Sequence, residues 1–316
     1  MPEISIIMLT YNRCNYLKRS IESVLAQVDC DFEFIIVNNG STDDTLEICK
    51  EYSRNDSRVR IVDIPKSNIG RGRNAGLDAA IGNYISFVDD DDYMEKDMFS
   101  YLHTNAIKYD ADISVCGCYY DFDGKIEPFY VFDDIKVLDK VAGVDEFLKR
   151  ERYNSANPCK LFKRKLFDNL RYLETGKYDD IHMLYKLFAE ADVTVSSGVP
   201  KYYFERHGGN NSGFALTFKL TPEQLTEYLD AFKERTRYLS EKIPAIAKRV
   251  RYSEWSYMIS MVDKITRYKL IDCYEILKYI KKELNVNMRE FSNSEYLKDF
   301  EKEWVTTYLW REEVSA

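Results

Sequence analysis

The sequence predicts an α/β fold: a doubly wound, mostly parallel but mixed sheet followed by a C-terminal helical subdomain. Three observations carry that expectation. Apolar, β-branched runs alternate with helical periodicities over residues 4–88, the rhythm loosens between about 113 and 206, and from Thr221 onward apolar and aromatic residues recur at helical spacing.

Ile4–Leu9 reads as a strand, and Leu17, Ile21, Val24 and Leu25 fall on one face of a following helix. Phe32–Val37 repeats the strand, Gly40-Ser41-Thr42 the turn, and Asp43–Tyr52 the helix. A third strand is expected at Val59–Ile64. After the Gly70–Gly76 stretch a short helix runs to Ala80, and Tyr84–Val88 forms a fourth strand that ends in Asp89-Asp90-Asp91-Asp92. Strands that are apolar on both faces between crossover helices favour a parallel sheet, whose ligands bind beyond the carboxyl ends of the strands. Farther on, strands are expected at Ile113–Cys118, Glu127–Phe132 and Lys201–Phe204, with helices near Val144–Arg150 and Ile181–Glu190. The polar, glycine-rich stretch His207–Gly213 divides the chain into expected domains at 1–215 and 216–316.

Composition narrows the function. The formal charge of −8 and pI near 5.2 argue against a nucleic-acid partner, which needs a basic surface. Residues 221–316 carry 17 basic and 17 acidic side chains, so the whole acidic excess lies in the first 220 residues. Such a surplus is either an ordinary solvated surface or a cation-binding cleft. Seven cysteines with no Cys-x-x-Cys spacing predict a reduced, intracellular protein. The N-terminal residues lack a basic segment followed by a long apolar one, and no run of about 18 apolar residues occurs, so a cytoplasmic location without a membrane span is expected.

The aspartate run carries the strongest chemical signal, because carboxylates at the end of a buried strand face the ligand crevice and hard divalent cations prefer oxygen donors. It is one of five ordered blocks: Thr10-Tyr11-Asn12, Val37 through Asp43, Asn68 through Gly76, Asp89 through Asp92, and Tyr178-Asp179-Asp180. Their order and spacing from Ser5 to about Ser212 resemble the inverting family 2 glycosyltransferases. The resemblance implies the GT-A fold and transfer of a sugar from a nucleotide diphosphate, UDP-linked in the first instance, to a hydroxyl of a glycan, polymer, lipid-linked or protein acceptor.

Residue by residue, the resemblance implies that Asp89, with Asp90 beside it, lies near the donor ribose. Asp91 would lie on a magnesium or manganese ion, with Asp92 capping the next helix. Thr10, Tyr11, Asn12 and Asn39 fall at the family's nucleoside site, and Arg73 faces the diphosphate. Asn38 and Asn39 stand where aspartate is common, and an amide donates as well as accepts. Asp180 is implied as the catalytic base, preceded by Asp179 in place of the usual glutamate. Lys160-Leu161-Phe162 matches a further block, and Tyr203 through His207 with Ser212 resembles the segment that closes over the donor, placing Arg206 there. His207 is either a metal ligand or a loop histidine. His103 and His182 are assigned structural roles.

The basic and aromatic C-terminal helices, with Lys264, Arg267, Lys278, Lys281 and Lys282, leave open a peripheral membrane contact, a homo-oligomer contact or a solvated rim. Two other functions use similar sites: nucleotidyl transfer, and non-catalytic binding of a sugar nucleotide. A dinucleotide cofactor is disfavoured, because no Gly-x-Gly-x-x-Gly follows the first strand.

Overall fold

The computed structural model describes residues 1–207 and 220–310. Two compact units divide the chain, Met1–His207 and Gly208–Ala316. Most of the glycine-rich stretch, with Ser212, lies outside the described residues.

In the first unit, β1 (Ile4–Thr10), α1 (Leu17–Leu25), β2 (Phe32–Asn39), α2 (Thr45–Asn55), β3 (Val59–Ile64), α3 (Ile69–Ala79) and β4 (Tyr84–Val88) follow the alternation read from the sequence. The strands run in parallel in the order β3-β2-β1-β4, with Ile4 opposite both Phe32 and Tyr84. Alternation along β1 supplies both faces of the sheet. Ile4, Ile6 and Met8 pack in one core cluster with Leu17, Ile21 and Val24 of α1, while Ile7 and Leu9 turn toward α3.

The Gly70–Gly76 stretch lies inside α3 rather than before it, correcting the sequence reading. Glycine weakens a helix by about 1 kcal/mol relative to alanine, so periodicity alone places a loop there. Close packing overrides that preference. A Cβ on Gly72 would sit 2.3 Å from Leu9 Cδ1, and one on Gly76 2.5 Å from Ile7 Cγ2, so the bare backbone lets α3 lie directly on β1. Asn68 caps the helix by accepting from the Arg71 N–H at 2.9 Å.

Beyond β4 the sheet becomes mixed. The added elements are β5 (Tyr93–Met94), α4 (Met98–Lys108), β6 (Ile113–Phe122), β7 (Lys125–Tyr130), β8 (Ile135–Asp139), α5 (Lys140–Lys149), β9 (Lys160–Lys163), α6 (Asp179–Glu190) and β10 (Val193–Glu205). Three of these, β5, β8 and β9, were not anticipated, α4 was expected only as a helix after Asp92 with no range, and the short β5 and β9 owe their extended form to neighbours. β9 bridges β4 and β6 antiparallel to both, and β10 runs parallel to β6. β10 is far longer than the expected Lys201–Phe204 because a register shift between Ser196 and Pro200 absorbs Gly198-Val199-Pro200 without ending the strand.

The second unit is helical. α7 (Pro222–Lys242) opens on a capping box of Thr221 and Gln224, and α8 (Ala247–Arg267) and α9 (Tyr274–Val286) follow. Leu225, Leu229, Trp255, Ile259, Val262, Ile280 and Leu284 form its core. Among the described residues no helix is long and apolar enough to cross a membrane, and all seven cysteines are free.

Candidate active site

The carboxyl ends of β1, β2, β3 and β4 release four loops at one edge of the sheet. Asn12 joins the first two. Its backbone adopts φ +52°, which asparagine tolerates better than most residues, and its Oδ1 accepts from the Thr42 N–H at 2.8 Å while Ser41 Oγ accepts from its own N–H at 3.1 Å. Asn39 joins the second and third. Its Oδ1 accepts from the Ser67 N–H and hydroxyl at 2.9 and 2.8 Å, and its Nδ2 donates to the Ser67 carbonyl at 3.0 Å. Asn38 similarly donates to Asp63 at 2.6 Å. The two asparagines that replace the expected aspartates therefore brace the loops. Tyr11 is 39% exposed beside them, with the Lys66 ammonium 2.9 Å from its ring centre.

The aspartate run divides among four environments. Asp89 faces Arg73 Nη2 at 3.9 Å, and its N–H donates to the Tyr202 hydroxyl at 3.1 Å. Asp90 lies 3.5 Å from Arg13 Nε and near the Thr10 hydroxyl. Asp91 lies 3.1 Å from His207 Nε2 and 3.8 Å from Arg13 Nη2. Asp92 does not cap a helix, contrary to expectation. Its Oδ1 accepts from the Glu205 N–H at 2.8 Å, its carbonyl accepts from Ser20 Oγ at 2.6 Å, and α4 starts six residues later at Met98 behind Asp97. The two-residue β5 pulls the chain along β10 before a helix can begin.

Burial at the strand end disfavours the ionised forms of Asp89, Asp90 and Asp92. Burial, then the neighbouring Asp91, raises Asp90 to about 7. Burial likewise lifts Asp89 to about 6 against the pull of Arg73, and raises Asp92 well above the carboxylate range.

Residues from the later elements close on this edge. Asp179 and Asp180 begin α6, where the helix dipole favours negative charge. Asp180 Oδ1 accepts from the Ile181 N–H at 2.8 Å, while burial and the adjacent Asp179 raise its carboxyl to about 7. Asp179 lies 2.6 Å from Arg73 Nε. The Arg73 guanidinium is 5.4 Å from the Phe87 ring centre and 5.7 Å from that of Tyr172. Arg206 stands 4.4 Å from the ring centre of Tyr120, and its N–H donates to the Asp121 carbonyl at 2.7 Å. His207 stacks on Tyr16 with ring centres 4.2 Å apart and planes 11° from parallel. His103 packs edge-on against Tyr84.

The structure thus joins Arg73, Asp89, Asp179 and Asp180 in one cluster, and Thr10, Arg13, Asp90, Asp91 and His207 in an adjoining one. Tyr11, Asn12 and Asn39 lie along the loops beside them. Among the described residues no three His, Cys, Asp or Glu side chains gather closely enough to hold an ion unaided. Sequence reasoning overlooked Arg13, whose place directly after Thr10-Tyr11-Asn12 was the available signal. It also overlooked Tyr16 and Tyr172. Tyr172 has no local signal, because Asn74, 98 residues earlier, accepts from its N–H and donates to its carbonyl, both at 2.9 Å.

Comparison with known proteins gives a consistent result. Residues 5–171, just over half of the chain, match the model of glycosyl transferase family 2. Glycosyltransferase GlyA of Streptococcus pneumoniae serotype 4 is 29% identical over 250 residues, which are 75% of this chain but only 35% of that protein. GlyG of the same organism is 29% identical over 219 residues, 66% of this chain and 72% of GlyG. Chondroitin synthase of Pasteurella multocida is 42% identical over 97 residues, 31% of this chain and 10% of that one. Among solved structures, residues 1–349 of TarS from S. aureus, in complex with UDP-GlcNAc, superpose with a TM-score of 0.65 at 17% identity, covering 92% of this chain and 89% of that one. That likeness establishes the GT-A fold. With its sheet, its loops and the family match in agreement, the chain belongs to glycosyl transferase family 2, a family of glycosyltransferases.

Proposed function

We propose that this glycosyltransferase moves a hexosyl or N-acetylhexosaminyl group from a UDP-linked donor to a hydroxyl of a glycan, polymer, lipid-linked or protein acceptor, with inversion and with a divalent cation. The observation that carries this reading is the Asp180 carboxyl. It lies at a helix N-terminus beside the cluster of Arg73 and Asp89, and is raised to about 7, where a general base is most effective at neutral pH. Structures of TarS in complex with UDP and with UDP-GlcNAc support the donor class.

Asp180 takes the proton of the acceptor hydroxyl as that oxygen bonds to the anomeric carbon. The bond from the anomeric carbon to the diphosphate oxygen breaks, and its electron pair leaves with the nucleoside diphosphate. Tyr11 offers an exposed ring for the base, while Arg73 and Arg206 offset the negative charge of the diphosphate.

The donor set suits manganese or magnesium. Asp91 Oδ2 and His207 Nε2, 3.1 Å apart, present an oxygen and a nitrogen donor side by side. These two residues would hold the cation. A cation held there supplies positive charge against the departing diphosphate.

The test is a panel of nucleotide sugars incubated with the protein and manganese, with donor hydrolysis and thermal shift as readouts. A UDP-sugar that is hydrolysed and stabilises the protein supports the reading. Release of inorganic pyrophosphate from a nucleoside triphosphate would replace it with nucleotidyl transfer, and donor binding without turnover under any condition would replace it with a binding subunit.

A further inference from the structure

Arg73 stands at the donor edge of the site, where its obvious partner is the diphosphate, yet its closest ionic partner belongs to the protein. Arg73 Nε is 2.6 Å from Asp179 Oδ2, with only 11% and 7% of the two side chains exposed, and the other end of the guanidinium reaches Asp89 Oδ1 at 3.9 Å. The 2.6 Å contact is ionic rather than an aligned hydrogen bond, so it is held by charge and by its surroundings. Phe87 and Tyr172 wall the guanidinium at 5.4 and 5.7 Å. Tyr172 is itself fixed, through Asn74 on α3 and a bond from its hydroxyl to Asn157 Oδ1.

The consequence is mechanical. Asp89 directly follows β4, Arg73 belongs to the preceding α3, and Asp179 starts α6. α6 is far from the other two in sequence, and Asp180 takes its place from the residue before it. We propose that Asp179 is a positioning residue: by clasping Arg73 it spans the gap between the aspartate run and the helix start that presents Asp180 to the acceptor. This inference rests on Asp180 being the base.

The clasp has an electrostatic signature. Asp180 is faced by Asp179 on its own helix, Arg73 on α3, Asp89 after β4, Lys160 on β9 and Tyr172, with His182 two residues along α6. Asp179 raises the Asp180 carboxyl and Arg73 lowers it. Removing the Asp179 charge should therefore lower the Asp180 midpoint, whereas loss of Arg73 alone should raise it. The midpoint reports the Asp179 charge; a residue that merely held the fold would change the melting temperature without a turnover loss that depends on Arg73.

The experiment compares wild type, Asp179→Asn, Asp179→Glu, Arg73→Met and the double variant Arg73→Met/Asp179→Asn. The double variant removes both charges of the close pair, so neither is left buried opposite a missing partner. Carbon-13 NMR titration of labelled aspartates, assigned through Asp180→Asn, needs neither donor nor acceptor. Transfer or donor hydrolysis gives the kinetic arm. The expected result is a lower Asp180 midpoint in Asp179→Asn, a fall of about 10–100-fold in turnover with little loss of UDP affinity, and recovery in Asp179→Glu. Because the two residues act as a unit, Asp179→Asn should add little further loss in an Arg73→Met background. An unchanged midpoint, or equal losses from Asp179→Asn with and without Arg73, would overturn the proposal. Failure of the whole nucleotide-sugar panel would reject the donor assignment while leaving the NMR arm decisive for the clasp.

Discussion

The two halves of the first unit reach the same edge of the sheet by different routes. Residues 4–88 repeat strand and helix in regular order, and their loops are braced by backbone and amide bonds such as those of Asn12 and Asn39. Residues 93–205 form a mixed sheet with short bridging strands, and the side chains that complete the site come from a helix start and a strand end. The regular half builds a place to bind, and the irregular half brings reactive groups to it. A repeated βα pattern fixes where loops emerge, whereas a group that reacts must be placed on its own account.

The sharpest way to break this contrast is Asp180→Asn. The amide keeps the size of the carboxyl but cannot take the acceptor proton, so turnover should fall about 10²–10⁴-fold with donor affinity nearly unchanged. Steady-state kinetics beside calorimetric titration of donor with manganese checks this. A collapse of donor binding would move Asp180 to the binding half, and turnover within a few-fold of wild type would direct attention to Asp179.

The matching test on the regular half is Asp91→Asn. Cation charge contributes several kcal/mol to such a reaction, so manganese-supported activity should fall about a hundredfold or more while the melting temperature stays near that of wild type. Normal turnover across a manganese series would remove Asp91 from the cation site.

A third prediction uses pH. Folding raises the Asp180 carboxyl from 3.8 to about 7, so the native chain keeps a proton that the unfolded chain releases. The ionisation penalty is absent below about pH 4, builds as pH rises toward about 7, and is complete above that, where three units correspond to at most about 4 kcal/mol. Asp180→Asn should therefore stabilise the protein more at pH 8.5 than at pH 4.5. Equal gains in denaturant melts at the two values would show that Asp180 ionises as freely folded as unfolded.

The smallest effect concerns the scaffold. Gly76→Ala places a methyl carbon 2.5 Å from Ile7 Cγ2, inside the packed face of the sheet. Overpacking of this kind costs about 1–3 kcal/mol, part of it recovered from alanine's better helix propensity. A melting temperature equal to or above that of wild type would mean that α3 does not lie as close to β1 as described.

How far the sequence was readable follows the same division. β1, β2 and β4 announce themselves because strands buried on both faces need continuous apolar runs, and the aspartates directly after β4 mark the ligand edge. The helical cap at Asn68 and the glycine face of α3 were legible only as a break, since periodicity does not reveal that a sheet lies 2–3 Å from where a Cβ would be. α4 was expected after Asp92 but not located, although Met98, Phe99, Leu102 and Ala106 form its buried face, and the short β9 depends on the partners that flank it. In the site, Asp180 and Asp91 could be named from their blocks, whereas Arg13 and Tyr172 acquire meaning from contacts across dozens of residues.

Asp92 carries a consequence for how fast the site can work. Its carboxyl holds the Glu205 N–H and its carbonyl holds the Ser20 hydroxyl, so the end of β4, the end of β10 and α1 share one anchor. Among the described residues, the side chains that border Asp91 beside this anchored backbone are Arg13 and His207, whose imidazole stacks on Tyr16. Side-chain rotations run in picoseconds to nanoseconds, whereas collective loop and domain motions take microseconds to milliseconds. The expected mark in NMR relaxation is a quiet backbone at Asp89–Asp92 and Tyr203–Glu205, with order parameters near about 0.85, beside mobile side chains. Motion of these side chains would then run faster than any movement of the sheet beneath them.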